Sequence, residues 1–75
     1  MKTNKFAGVH LYQALVNGSW HICYTIHYFG KTLNTGSVYL GDAFNHGTVQ
    51  RTRNSAFNRA EDWAKQNGFD GVLVR

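Results

Sequence analysis

The chain reads as an α+β domain in two layers: an antiparallel three-stranded meander, then one helix and a C-terminal strand, β-β-β-α-β, with sheet order 3-2-1-4. Three observations predict it. From Ser19 to Tyr28 the residues alternate, with Trp20, Ile22, Tyr24, Ile26 and Tyr28 large and apolar and Ser19, His21, Cys23, Thr25 and His27 small or polar. A period of two is the mark of a strand. Asn17-Gly18 before it is the dipeptide preferred by a two-residue hairpin turn, because a type I′ turn needs positive φ at both central positions. Later, Ala56, Phe57, Ala60, Trp63 and Ala64 recur at the spacing of one buried helix face.

The first strand spans about Ala7 to Val16 and folds back on the second through that turn. Pairing Val16 with Ser19 sets Leu15 against Trp20, Gln13 against Ile22, Leu11 against Tyr24 and Val9 against Ile26. One face then collects Val9, Leu11 and Leu15 with the apolar residues of the second strand, and a one-residue slip would destroy the match. A third strand is expected over Thr35 to Leu40. A direct turn at Gly30-Lys31 would leave Val38 and Leu40 on the other face, so the hydrophobic pattern favours a longer loop that brings both into the core.

The helix is expected to start at about Asn54 or Ser55, since carrying the stripe further back would put Arg53 near the core. Gly68 is a natural left-handed residue past its end, with Phe69 next to close against Ala64. Asp70-Gly71 turns the chain into Val72-Leu73-Val74, which returns parallel to the first strand by a right-handed crossover. Trp20 and Trp63 are both expected between sheet and helix. Residues 1–6 are expected to form a loose N-terminus to a single domain spanning 1–75.

Seventy-five residues hold one hydrophobic core, and 43% hydrophobic with 15% aromatic composition is enough to form it. The net charge is +4, and no Asp or Glu precedes Asp42, so the first half carries the positive field and favours anionic surroundings. A lone Cys23, no secretory apolar segment and no long apolar run point to a cytoplasmic chain. Asn17-Gly18-Ser19 matches a glycosylation sequon, but a tight turn is a poor place for one.

The chemistry-bearing residues do not assemble an enzyme. Gly30-Lys31-Thr32 matches the end of a phosphate-binding loop, yet position 25, where that loop needs glycine, is threonine. His10, His21, Cys23 and His27 share one sheet face, which is zinc chemistry by type. Their spacing along a strand, about 7 Å per two residues, is too long for one strand to supply more than two ligands. The four acidic residues fall on the helix and in turns, so no general acid and base can be paired. No cofactor, metal or catalytic residue is expected.

What one helix leaves uncovered is the other sheet face, with His10, Tyr12, His21, Thr25 and His27. Aromatic and imidazole rings on an open sheet suit a protein interface, and they also suit stacking of single-stranded bases. Lys31, Arg51 and Arg53 complete the expected contact set, the two arginines in a basic loop beside the helix N-terminus, where an anion could lie. The expected function is therefore a non-enzymatic binding or inhibitor module docking onto a protein of a nucleic-acid-handling complex. Small phage-type inhibitors of host defence, such as anti-CRISPR proteins, have this size and character. Direct binding of single-stranded RNA or DNA is the alternative, and self-pairing as a homodimer through the open face is a third reading.

Overall fold

The computed structural model describes residues 5–74 and contains β1 (Phe6–Val16), β2 (Ser19–Tyr28), β3 (Lys31–Gly41), α1 (His46–Gln66) and β4 (Gly71–Val74). The strands form one mixed sheet in the order β3-β2-β1-β4. Strands β1 to β3 are antiparallel and β4 runs parallel to β1. This is the fold class and strand order that the sequence predicts.

The first hairpin has the expected register throughout, from Val16 opposite Ser19 to Val9 opposite Ile26. Its turn takes φ 52° at Asn17 and φ 83° at Gly18, positive at both central positions. Val9, Ile22, Tyr24 and Ile26 of the patterned face are buried and pack with Ala7, Leu40 and Val72 against Ala56, Ala60 and Ala64 of α1. Alanine every fourth residue lets the helix lie close to the sheet.

Trp20 and Trp63, expected at the centre of that contact, are only partly buried. Small side chains hold the middle, so the indoles flank it, Trp20 meeting Phe44 edge-on at 6.5 Å between ring centroids. Leu15 faces the same side but is 59% exposed and does not join the residues packed on the core.

At β3 the expected long loop is absent. A two-residue turn at Phe29-Gly30 sets Lys31 opposite Tyr28 and Thr32 opposite His27. Left unbroken, that register would turn Val38 away from the core. A bulge intervenes: Asn34, not Leu33, pairs with Ile26, and Val38 comes opposite Ile22 on the core face. One extra residue flips every later side chain, so the bulge achieves what a longer loop was expected to do. A second irregularity places Gly41 opposite Trp20, and Leu40 is buried beside it.

The helix begins two turns earlier than expected. Asn45 is its N-cap, the side-chain oxygen accepting hydrogen bonds from the Thr48 N–H (2.9 Å) and hydroxyl (3.1 Å). The buried stripe runs back to Thr52, whose hydroxyl donates to the Thr48 carbonyl at 2.8 Å and so enters the interior satisfied. Arg53 does not stop the helix, because it is partly buried and a long aliphatic stem can cover apolar surface while the charge stays wet. The end is as expected: Gly68 takes φ 91°, and the Phe69 N–H donates to the Ala64 carbonyl at 2.9 Å, the long bond of a Schellman closure. Glu61 and Lys65 approach to 4.0 Å on the outer face.

Of the residues expected to be loose, Lys5 and Phe6 are tied in. The Lys5 N–H donates to an Asp70 carboxylate oxygen at 2.7 Å, the Asp70 N–H donates back to the Lys5 carbonyl at 2.7 Å, and Phe6 opens β1 opposite Gly71. Positions 1–4 lie outside the described residues. No helix among the described residues is long and apolar enough to cross a membrane.

Candidate docking face

Strand alternation and register build the open face row by row across β1, β2 and β3. Gly8, His27 and Thr32 form one row, His10, Thr25 and Thr35 the next, then Tyr12, Cys23 and Ser37, then Ala14, His21 and Tyr39. Five of the expected contact residues, His10, Tyr12, His21, Thr25 and His27, therefore share this face, and α1 packs on the opposite one. Tyr39 joins them at 61% exposure against 41% for Tyr12. Its place here could not be read from the sequence without the bulge that sets the register of β3.

The rings are ordered by one another. His10 stacks on Tyr12 with centroids 5.5 Å apart and planes at 23°, while His21 meets Tyr39 edge-on at 5.5 Å. The His21 Nδ1 bonds the Ser19 carbonyl at 3.0 Å; a carbonyl oxygen can only accept, so Nδ1 carries the hydrogen and donates. That contact fixes the ring beside Tyr39. Cys23, directly opposite Tyr12 and Ser37, is only 7% exposed although no helix covers this side, so its cover comes from the side chains around it.

The three basic residues expected with this face lie elsewhere. Lys31 pairs with Tyr28, which puts it on the helix side of the sheet's end. Arg51 and Arg53 are not in a loop at the helix start; they fall in the second and third turns of α1, on the other layer. The anion site expected where they would flank the helix N-terminus is therefore not assembled. Gly30-Lys31-Thr32 is a turn followed by a strand, without the helix that a phosphate-binding loop requires. Among the described residues no three His, Cys, Asp or Glu side chains gather as a metal site would need.

Among the described residues of this face there is no Lys, Arg, Asp or Glu, although the rows hold three imidazoles and two phenols. Phosphate binding draws on cations for most of its affinity, whereas the centre of a protein interface is depleted in charge and enriched in Tyr. Comparison with protein families, curated proteins and solved structures finds no match for this chain.

Proposed function

We propose that this chain is a non-catalytic binding module that docks its open sheet face onto a protein partner. The observation that carries this reading is the separation of rings from cations. His10 packs with exposed Tyr12 and half-buried His21 with exposed Tyr39 on a surface without Lys, Arg, Asp or Glu among its described residues, and Arg51 and Arg53 stand on the other layer. A ring-rich, charge-poor centre is what a protein interface uses to gain affinity on desolvation. The net charge of +4 and the acid-free stretch before Asp42 favour a partner with an acidic surface or one already bound to nucleic acid, as in a nucleic-acid-handling complex that a small inhibitor would block.

Direct single-stranded nucleic-acid binding is the second reading. Exposed rings on a sheet free of carboxylates support it, and the lack of cations on the same face weakens it.

Capture from the native lysate, with and without nuclease, separates the two. Tyr12→Ala and Tyr39→Ala are expected to lower the captured protein at least about tenfold, with nuclease and the pair Arg51→Ala and Arg53→Ala having little effect. Release by nuclease, or loss only in the arginine variants, would sink the protein reading.

A further inference from the structure

The outer side of α1 carries a pattern of its own. Thr52, Ala56, Ala60 and Ala64 are buried against the sheet, and Gln50, Arg51, Asn54, Asn58 and Arg59 are exposed. Gln50, Asn54 and Asn58 recur at every fourth position and so form one row along the crest of the helix, with Arg51 beside it. The Gln50 Nε2 donates to the Asn54 Oδ1 at 3.3 Å, which lines up the two amides. At about 100° per residue, Arg53 and Arg59 fall on opposite flanks of that row.

Stability alone does not ask for such a surface. Asn is a poor helix former, and a solvated helix gains from Glu and Lys four residues apart, as Glu61 and Lys65 stand further along α1. Between Asp42 and Glu61 the sequence has no acidic residue, and positions 1–4 and 75 hold none either. Among the described residues, none of Arg51, Arg53 and Arg59 pairs with a carboxylate. Three cations and a row of amides therefore face outward without a partner in the fold.

We propose that the outer side of α1 is a docking surface for duplex DNA, with the helix lying in the major groove. That groove is about 12 Å wide and admits a helix. Gln and Asn each present a donor and an acceptor, the pair that the edge of adenine takes, and Arg51 presents the donors that guanine takes. Arg53 and Arg59, on the two flanks, are placed for the phosphates of the two groove walls. From Gln50 to Arg59 the helix rises about 14 Å, the length of about four base pairs. An acidic protein surface would be served by cations alone and would give the amide row no role. A single strand would need rings to stack on, and this crest has none. The proposal goes beyond the reading of the open face and does not depend on it, because α1 and that face lie on opposite sides of the sheet.

The test is fluorescence anisotropy of a labelled mixed-sequence DNA duplex of about 20 base pairs with the full chain, from about 50 to 200 mM salt. Duplex RNA and single-stranded DNA of the same sequence are the comparators, and polyglutamate is the competitor. Duplex DNA is expected to bind at least about tenfold tighter than either comparator, since the major groove of an RNA helix is too deep and narrow for side chains to read. Arg53→Gln and Arg59→Gln should each lower the salt slope by roughly one unit, while Lys31→Ala, a cation away from this surface, should leave it unchanged. Asn54→Glu keeps an acceptor for Gln50 and is a better helix former, so it should melt no lower than wild type, yet an anion on the crest should weaken binding at least about tenfold. Tyr12→Ala and Tyr39→Ala should bind the duplex as wild type does. The proposal is overturned by no binding at the lowest salt, by RNA, single strand or polyglutamate competing as well as duplex DNA, by Asn54→Glu binding as wild type, or by loss of binding in the tyrosine variants instead. Because purified DNA is the probe, failure here leaves the Tyr12 and Tyr39 capture result standing, and failure of that result leaves this titration readable.

Discussion

The Tyr24 ring stands where a side chain at Gly36 would have to be. The two residues are directly opposite on β2 and β3, and a Cβ built on Gly36 would collide with the hydroxyl end of the buried ring. Glycine in a strand normally weakens it, and replacement by alanine normally gains about 0.5–1 kcal/mol. Here the sign is expected to reverse. Gly36→Ala should lose about 1–3 kcal/mol, since the tyrosine must leave its rotamer or the strands must part. Urea denaturation measures it, and a variant as stable as wild type would show that the ring has room to move.

The alanine stripe sets the spacing of the two layers. Ala56, Ala60 and Ala64 are fully buried against β-strand residues, with the larger Phe57 and Trp63 at the borders. Ala60→Leu should therefore destabilise by about 1–3 kcal/mol, although leucine is nearly as good a helix former and more hydrophobic. Asn58→Leu, on the exposed side of the same turn, is expected to stay within about 0.5 kcal/mol. Equal effects at the two positions would mean that the helix is rotated from the orientation described.

Capping locates the helix start in solution. Asn45→Ala removes the acceptor of two hydrogen bonds from Thr48 and should cost about 1 kcal/mol, whereas Ser55→Ala, in the middle of the helix and exposed, should be neutral or slightly stabilising. The opposite ranking by thermal melting would restore the later start that the sequence alone favours.

Local signals explain how much of this was legible. The Asn17-Gly18 turn and the alternation of β2 determine the β1–β2 register residue by residue, and Gly68-Phe69 determines how the helix closes. These are short-range rules with one solution each. The sequence points to a later helix start because Arg53 falls near the core, yet a residue with a long apolar stem can sit there. The second turn carries no ordinary sequence signal, because Phe29 sits where a positive φ asks for Asn or Gly. The bulge at Leu33 carries no sequence mark of its own, and without it neither the inward side of Val38 nor the exposure of Tyr39 on the open face can be derived. The ring cluster was visible as a parity pattern on two strands. That Arg51 and Arg53 belong to the other layer was not visible, since it follows from the helix start.

Cys23 reports on the state of the open face. It is nearly inaccessible on a side with no helix, and its cross-strand neighbours are Tyr12, itself stacked under His10, and Ser37. If the rings are as ordered in solution as their mutual contacts indicate, the thiol should react with a water-soluble disulfide reagent far more slowly than in unfolded chain. Tyr12→Ala should then raise that rate at least about tenfold, because exchange is gated by access to the sulfur. Stability should change by no more than about 1 kcal/mol, since Tyr12 lies on the surface. Ser37→Ala, which removes little cover, should leave the rate within about twofold of wild type. A thiol that reacts quickly in the wild-type protein would mean that the ring layer opens freely, and the face could then not serve as a preorganised interface, whose affinity depends on side chains that have already lost their freedom.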